Sequence, residues 1–334
     1  IYSQYSFENV FQYSEGDVYW CTADIGWITG HSYIVYGPLL SGATSIMFEG
    51  VPTYPDSSRF WQIVEENKVN IFYTAPTAIR ALEAKGLDFV KKHDLSSLKV
   101  LGTVGEPINE DAWNWYSKEI GNGNCPIVDT WWQTETGGIM ISNLAGITKE
   151  KPTFATLPLP GILACIVNDN GKEIIANNTE GKLCVKYPWP SMARTIYGDH
   201  KRFIDTYFSA FPGYYFSGDG CYKNEEGMFR ITGRVDDVLI VSGHNLGTAE
   251  IESAIDEHKN VCESAIVGYP HDIKGNGICA FIICHHTPSD PLKLNVEINK
   301  LIVKHVGPIA KLDKIQYVVA VSYTHLTLPT NREV

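Results

Sequence analysis

The sequence is short of positive charge. Its 334 residues carry 27 Lys and Arg against 38 Asp and Glu, which gives a formal net charge of −11 at pH 7. This balance disfavours non-specific binding to DNA or to an anionic membrane surface, because both are themselves negative. We therefore expect neither nucleic acid nor membrane as a partner. The charge balance does not exclude binding of an anionic small molecule, since glycine-rich loops and helix N-termini bind phosphate locally.

Long apolar runs are also missing. No stretch approaches the roughly 18 uninterrupted apolar residues of a membrane span, and no signal peptide opens the chain. The first residue is Ile1 rather than Met, so we interpret the sequence as part of a longer protein that lacks both ends. Residues 322–334 are polar and do not continue the preceding pattern, and we expect them to be a non-native tail.

The eight cysteines form no paired framework. None stands in a CxxC motif, and their scatter is typical of reduced thiols in a cytoplasmic protein. Cys279, Cys284, His285 and His286 lie close together in CAFIICHH, but their apolar surroundings favour a strand end over a metal site. The sequon at Asn177 would matter only in a secreted protein. These features predict a cytoplasmic location.

Helix-like and strand-like segments alternate over the first 150 residues. The strands are short apolar runs, and the helices show apolar residues at three- and four-residue spacing. Such alternation with short polar connections predicts parallel strands joined by crossover helices, in a layered α/β fold. The segments are helix GHSYIVYGPLLSGA, strand TSIMFEG, helix SSRFWQIVEENK, strand VNIFYTAP, helix PTAIRALEAKG, strand SLKVLGTVGEP, helix NEDAWNWYSKEIG and strand CPIVDTWW.

The pattern of predicted strands, turns and helices then changes twice along the chain. After this region, short strands and turns predict a mostly antiparallel β subdomain, with hairpin signals DNG at 169–171 and NEEG at 224–227. From Asp237 onward, strands and helices predict a small α+β domain that is able to swing on a linker. We assign residues 1–235 to part of a large domain and 236–321 to an incomplete small domain, with the hinge in GRVDD.

Two motifs carry groups suited to a nucleoside. In TVGEP (103–107) a strand runs through glycine into Glu-Pro, at the carboxyl end where open α/β sheets bind ligands. In YFSGDG (215–220) Asp219 stands between two glycines, a geometry suited to holding two vicinal hydroxyls. Arg234 follows fifteen residues later, so both side chains could reach one ribose if the intervening strands form a hairpin. Each motif alone also fits a plain turn.

The stretch DTWWQTETGG (129–138) combines two large tryptophan side chains with polar groups. Thr134 and Thr136 supply hydroxyls and Glu135 a carboxylate, the groups that hold a phosphate oxygen and a divalent metal. The two adjacent tryptophans either fill a core or shape a pocket, because tryptophan is the largest side chain.

Together these motifs resemble the acetyl-CoA synthetases, within the adenylate-forming enzymes that include acyl-CoA ligases, luciferases and peptide-synthetase adenylation domains. The resemblance covers nearly all of residues 15–320 and rests on YWCTADIGWITGHSYIVYGPL, YTAPTAIRAL, GTVGEPIN, DTWWQTETGG, YFSGDG and ITGRVDDVLIVSGHNLGTAEIESAI. It implies the adenylate-forming enzyme fold: a layered α/β large domain with a β subdomain, plus a small mobile C-terminal α+β domain. It also implies ATP, coenzyme A and Mg²⁺ as ligands.

The resemblance implies a two-step acetate–CoA ligase reaction. Acetate attacks the α-phosphate of ATP to give acetyl-adenylate and diphosphate, and the coenzyme A thiol then displaces AMP. Two alternatives stay open: a propionyl-CoA synthetase or other short-chain acyl-CoA ligase, and a non-catalytic nucleotide-binding pseudo-enzyme. Loss of Asp219, Arg234 or Thr134 would mark the pseudo-enzyme, and all three residues are present.

Site residues carry over from the resemblance one by one. The nucleotide site comprises Gly105, Glu106, Pro107, Asp129, Thr130, Trp131, Trp132, Gln133, Thr134, Asp219 and Arg234. In it, residues 105–107 line the adenine, Asp129 lies near its amino edge, Thr134 contacts the α-phosphate, and Asp219 and Arg234 hold the ribose. Thr134, Glu135 and Asn245 are the implied catalytic residues, with Glu135 as the Mg²⁺ ligand.

The resemblance also implies an acyl pocket, a coenzyme A border and a hinge. The acyl pocket comprises Trp27, Ile28, Thr29, Val104 and Trp132; the coenzyme A border comprises Thr29, Ser242 and Gly243; the hinge is Asp236. Neighbouring strand residues point to opposite faces, so we predict that Trp132 closes the pocket while Trp131 packs near the nucleotide or in the sheet. A rigid Trp132 leaves room for acetate, excludes butyrate and makes propionate a poor but real substrate.

Three departures from the family pattern limit this expectation. The family's phosphate loop, upstream of GDVYWCTAD, is absent from the sequence, and no lysine follows Lys314 where the family places its Gly-Lys segment. Asn245 stands where the family usually has arginine, so hydrogen-bonding capacity remains but the fixed charge is lost. We therefore expect the 334-residue chain to be at most a poor adenylating enzyme.

Overall fold

The computed structural model describes residues 1–235, 238–241, 244–271 and 275–318. The chain divides into two compact units, Ile1–Val238 and Leu239–Val334. Some predicted features lie outside the described residues: the hinge Asp236, the coenzyme A border at Ser242 and Gly243, the side chain of Asn245, and the tail 322–334.

Five parallel strands form the central sheet of the first unit. They are β1 Val18–Cys21, β2 Thr44–Ile46, β3 Ile71–Thr74, β4 Val100–Thr103 and β5 Ile127–Asp129, in the spatial order β2-β1-β3-β4-β5. Strands β3 and β4 are buried along their whole length, which is typical of parallel strands covered on both faces. The predicted parallel α/β arrangement is confirmed.

Helices connect and flank these strands. They are α1 Tyr2–Phe11, α2 Ile28–Gly30, a π-helical segment His31–Tyr36, α3 Gly37–Leu40, α4 Arg59–Asn67, α5 Pro76–Glu83, α6 Glu110–Trp115 and a second π-helical segment Tyr116–Ile120. Proline begins α5, where its fixed φ suits a helix start and its missing N–H is not needed. Helix α6 begins where Asn109 accepts a hydrogen bond from the Ala112 N–H at 2.9 Å.

Apolar layers cover both faces of the parallel sheet. Tyr19 and Tyr73 belong to one buried cluster, whereas Trp20 and Phe72 belong to the other. This division follows from the strand period of two, which sends successive side chains to opposite faces. The two layers hold the strands between them and so fix the positions of their carboxyl ends.

A four-stranded antiparallel sheet forms the predicted β subdomain of the first unit. Its strands are β6 Ala164–Val167, β7 Thr179–Val185, β8 Tyr215–Lys223 and β9 Phe229–Arg234, in that spatial order, with helix α7 His200–Tyr207 between β7 and β8. The predicted turn at 224–227 joins β8 to β9. The predicted turn at 169–171 closes a short hairpin, in which Val167 bridges Glu173 and Ile174 N donates to the Ile166 carbonyl at 2.8 Å, and β7 begins farther along.

The second unit is a small α+β structure. Its elements are β10 Val238–Val241, β11 His244–Gly247, α8 Thr248–Asp256, β12 Val261–His271, β13 Gly275–Cys284, α9 Pro291–His305, a short 3-10 helix Pro308–Ala310 and β14 Lys314–Val318. Strands β12 and β13 pair antiparallel, and β14 lies parallel to β13. Ile251 and Ile255 of α8 and Ile298 and Ile302 of α9 pack into one core.

Candidate active site

The carboxyl ends of three neighbouring parallel strands bring hydroxyls and one carboxyl group together. Thr74 lies opposite Thr103 in the sheet, and Thr103 lies opposite Asp129. Thr103 Oγ1 donates to Asp129 Oδ1 at 2.9 Å, and the aspartate is only 8% exposed. Burial raises the pKa of Asp129 from 3.8 to about 6, and the Thr103 hydrogen bond opposes this shift only in part. The edge of the parallel sheet therefore carries a buried carboxyl group that loses its proton at about pH 6.

Asp129→Asn is expected to change how the free energy of unfolding varies with pH. It should remove a contribution that falls as pH rises from about 4 to about 6. In the unfolded chain the carboxyl group loses its proton near pH 4, whereas the folded protein holds that proton to about pH 6. Over this window the folded state binds more protons, so the free energy of unfolding falls as pH rises. The difference between 3.8 and about 6 corresponds to roughly 3 kcal/mol for a fully buried group.

Urea denaturation of the wild-type and Asp129→Asn proteins across this pH range measures the effect. Glu15→Gln removes an exposed carboxylate in the same unit and serves as the matched control. Equal pH slopes for the wild type and Asp129→Asn would contradict the assignment of a raised pKa to Asp129.

The loop after β4 holds the residues expected to line an adenine. Gly105 has a φ of 97°, in the left-handed region that favours glycine, and both Gly105 and Pro107 are exposed. Glu106 Oε1 accepts hydrogen bonds from Thr77 N at 2.6 Å, from Thr77 Oγ1 at 2.5 Å and from Arg80 Nη2 at 3.2 Å. The Glu106 carboxylate thus ties the loop to the start of α5, while the loop backbone stays exposed at the sheet edge.

The β8–β9 hairpin brings Asp219 and Arg234 together. They are direct partners across the two strands, with Arg234 Nη1 3.6 Å from Asp219 Oδ1. The same guanidinium nitrogen donates to the Ser217 carbonyl at 3.0 Å. Gly218 has a φ of 79°, and a Cβ there would lie 2.6 Å from Arg234 Nη2. Glycine at this position therefore lets the guanidinium lie against the hairpin. Contact of either side chain with a ribose stays a prediction.

Two side chains from the segment after β5 fix the Asp219 carboxylate. Asp219 Oδ2 accepts from Trp131 Nε1 and from Gln133 Nε2, each at 3.0 Å. Gln133 Nε2 also donates to the Ser217 carbonyl at 2.7 Å, and Asp219 is only 6% exposed. Hydrogen bonds to an ionised acceptor are among the strong ones in proteins. The carboxylate is therefore oriented before any ligand arrives.

Thr134 and Glu135 lie in a short 3-10 turn, Thr134–Thr136, that follows this segment. Thr134 is exposed, and Glu135 Oε1 accepts a hydrogen bond from the Tyr207 hydroxyl. The Glu135 backbone carbonyl accepts from Ala193 N at 2.9 Å. Burial, and next the Glu135 carboxylate, raise the pKa of Tyr207 well above its usual range, so this hydroxyl stays a donor.

Tyr207 is a site residue that sequence reasoning missed. It lies in α7, a helix that was not predicted, 72 residues from its partner Glu135. Asp199 is a cap signal for this helix, and the aromatic run TYFSAFPGYYF indicates a packed surface, but neither points to a contact with a particular carboxylate.

Trp132 packs edge-on against Tyr33. The ring centroids lie 5.0 Å apart with the planes at 81°. Tyr33 is fully buried, and its hydroxyl bonds Ser6 Oγ at 2.7 Å and accepts from Ile139 N at 2.6 Å. Trp132 Nε1 is buried, and packing against the Tyr33 ring positions the indole.

The other predicted acyl-pocket residues differ in how far they are exposed to solvent. Val104 is buried in the apolar cluster against which Trp132 packs. Thr29 is buried and Ile28 half-buried in helix α2. Trp27 precedes that helix and is 69% exposed. The structure thus joins Val104 and Trp132 in one cluster and leaves Trp27 open to solvent.

The sequence matches known families over most of its length. Residues 1–197 match the model of the AMP-binding enzyme family, and residues 250–325 match the AMP-binding enzyme C-terminal domain. The acetyl-coenzyme A synthetase of Magnetococcus marinus is 57% identical over 319 residues, covering 95% of this chain and 49% of that protein. That of Alkalilimnicola ehrlichii is 58% identical over 310 residues, covering 92% and 48%. The chain therefore spans about half the length of the curated relatives it matches.

A solved structure confirms the predicted fold class. The anthranilate CoA ligase AuaEII, crystallised in complex with anthranoyl-AMP, aligns with a TM-score of 0.81 at 25% sequence identity, covering 95% of this chain and 58% of that chain. Within the described ranges, no helix combines the length and apolar character needed to cross a membrane. The predicted resemblance to acetyl-CoA synthetases is likewise confirmed by the relatives. On the strength of the matched family model, the chain belongs to the AMP-binding enzyme family.

Proposed function

We propose that the protein is an acetate–CoA ligase. An acetate oxygen attacks the α-phosphorus of ATP and diphosphate leaves, and the coenzyme A thiol then attacks the acetyl carbonyl and AMP leaves. The observation that carries this proposal is the pre-oriented Asp219 carboxylate beside Arg234, in a chain 56–58% identical to acetyl-coenzyme A synthetases. A cytoplasmic location stays a prediction from the scattered cysteines.

The nucleoside part of ATP would lie between the strand edge and the hairpin. The ribose hydroxyls would meet Asp219, whose Oδ2 is oriented by Trp131 and Gln133, together with Arg234 beside its Oδ1. The exposed backbone of the loop at 105–107 suits the adenine ring. Asp129 would accept a hydrogen bond from the adenine amino group, and it does so best above about pH 6, where it is ionised.

The phosphate part would lie at the turn Thr134–Thr136. Thr134 is exposed there and offers its hydroxyl to the α-phosphate. Glu135 fits Mg²⁺, because this ion takes one or two protein carboxylates and completes its shell with phosphate oxygens and water. When bound, Mg²⁺ neutralises charge that develops on the phosphoryl oxygens. The chain has no need of a covalent nucleophile, since positioning and charge stabilisation are sufficient for this transfer.

Further residues are proposed to contact acetate and coenzyme A or to allow motion of the small domain. We assign the acyl pocket to Trp27, Ile28, Thr29, Val104 and Trp132, with Trp132 limiting chain length. Thr29, Ser242 and Gly243 would border coenzyme A, Asp236 would be the hinge, and Asn245 would contribute hydrogen bonding to the first transition state without a fixed charge.

Acid-dependent exchange of radiolabelled diphosphate into ATP tests the proposal on the full-length gene product. Acetate, propionate, butyrate and anthranilate are compared at equal concentrations, with acyl-CoA formation measured in parallel. We expect acetate to give the highest kcat/KM. A higher kcat/KM for propionate would favour a propionyl-CoA synthetase. ATP binding without exchange for any acid would favour a nucleotide-binding pseudo-enzyme, and either result would overturn the proposal.

A further inference from the structure

A continuous series of contacts joins the two carboxylates of the proposed site. Glu135 accepts the hydrogen bond of Tyr207, and the Tyr207 ring stacks on Tyr215 with centroids 5.3 Å apart and an angle of 11° between the planes. Tyr215 Oη donates to Gln133 Oε1 at 2.9 Å, and Gln133 Nε2 donates to Asp219 Oδ2 at 3.0 Å. The proposed metal-binding carboxylate is thus linked to the proposed ribose-binding carboxylate through four contacts.

The packing around Tyr207 leaves its ring little freedom. Tyr215, on which it stacks, is only 3% exposed and meets Trp189 edge-on at 5.1 Å. Phe203, one turn earlier in α7, packs against Tyr207 at 5.6 Å. A ring held in this way directs its hydroxyl to one place, and that place is Glu135 Oε1.

We propose that Tyr207 is a positioning residue that holds the Glu135 carboxylate in the orientation used to bind metal–ATP. A glutamate side chain has several rotamers, and fixing it when a ligand arrives opposes binding through the loss of conformational entropy. A hydrogen bond from an immobilised phenol fixes the carboxylate beforehand. This inference rests on the proposed function, because the metal-binding role of Glu135 belongs to that function.

Tyr207→Phe in the full-length protein tests the inference, since it keeps the ring stack and removes only the hydroxyl. Free Mn²⁺ measured by electron paramagnetic resonance, in the presence of ATP, reports metal binding without turnover. We expect Mn²⁺ affinity to fall about three- to tenfold, the range for loss of one hydrogen bond. The Mg²⁺ concentration for half-maximal exchange should rise by the same factor, while the KM for acetate stays unchanged.

Two further variants keep the test decisive. Tyr222→Phe, on the same strand as Tyr215, removes an exposed hydrogen bond to Asn178 and should leave metal binding at the wild-type value. Tyr207→Phe added to Glu135→Gln should cause no further loss, because the two residues act together. Unchanged Mn²⁺ affinity in Tyr207→Phe, or a fully additive double variant, would overturn the inference.

Exchange activity and Mn²⁺–ATP binding of the wild-type protein distinguish a failure of the proposed function from a failure of the role of Tyr207. A wild-type protein that shows no acetate-dependent exchange removes the proposed function, whatever Tyr207 does. A wild-type protein that is active and binds Mn²⁺–ATP, with a Tyr207→Phe variant that matches it, removes only the role of Tyr207. Thermal denaturation of Tyr207→Phe checks that any loss of affinity arises in a folded protein.

Discussion

Asp219→Asn is expected to lower kcat/KM for ATP by about a hundredfold or more in the full-length protein, because the carboxylate proposed to hold two ribose hydroxyls would lose two charge-assisted hydrogen bonds of roughly 1.5–3 kcal/mol each. Asp219 Oδ2 accepts from two donors, Trp131 Nε1 and Gln133 Nε2. An asparagine amide placed there would meet them with its own N–H groups. Turned the other way, the amide N–H₂ would face the Arg234 guanidinium. Either orientation leaves a buried donor against another donor and removes the charge proposed to hold the ribose.

Initial rates of acetate-dependent diphosphate exchange, measured over a range of ATP concentrations, give this kcat/KM. Asp169→Asn is the matched control, since it removes an 89% exposed carboxylate that pairs with Lys182 in the same antiparallel sheet region. The control should keep the wild-type value. An Asp219→Asn enzyme within about twofold of the wild type would show that this carboxylate does not carry nucleotide binding, because even one ordinary hydrogen bond is worth more.

The parallel sheet was predictable because its signals are local. Residues 71–74 and 100–103 are short apolar runs between turn residues, and their complete burial in the structure explains why they are apolar without alternation. Helix α7 carries two local signals that were not used: Asp199 caps its start by accepting from Arg202 N at 2.9 Å, and Phe203 and Tyr207 stand four residues apart on one face. The helix has only eight residues and is mostly exposed, so its apolar face is narrow.

The candidate site was predictable as a set of residues but not as a network. Trp131 and Asp219 are 88 residues apart in the chain, and no pattern within either motif shows that the indole N–H meets the carboxylate. The two tryptophans lie beyond the end of β5 and both pack with one apolar cluster, while Trp131 donates to Asp219 and Trp132 meets Tyr33. Their separate roles therefore stay a prediction, and the partner of each ring is fixed by tertiary packing.

Trp132→Gly is expected to shift the acid preference of the full-length protein toward longer chains. The indole packs edge-on against Tyr33, which is itself held by Ser6 and Ile139, so the proposed pocket cannot widen by moving the ring. Removing the indole opens that space. Each methylene accepted by an apolar pocket contributes about 1–3 kcal/mol, so kcat/KM for butyrate relative to acetate should rise by about tenfold or more. Acid-dependent exchange over the straight-chain acids from acetate to hexanoate measures the profile.

The same substitution also tests whether Trp132 only fills the core. Truncating a large aromatic residue in a core destabilises a protein by about 3–5 kcal/mol, so rates are compared well below the variant's Tm. Trp131→Phe is the matched control: it removes the indole N–H that serves Asp219, so it should weaken the use of ATP without changing the order of the acids. If Trp132→Gly lowers the Tm and leaves the acid profile of the wild type, then Trp132 is a core residue and the acyl pocket lies elsewhere.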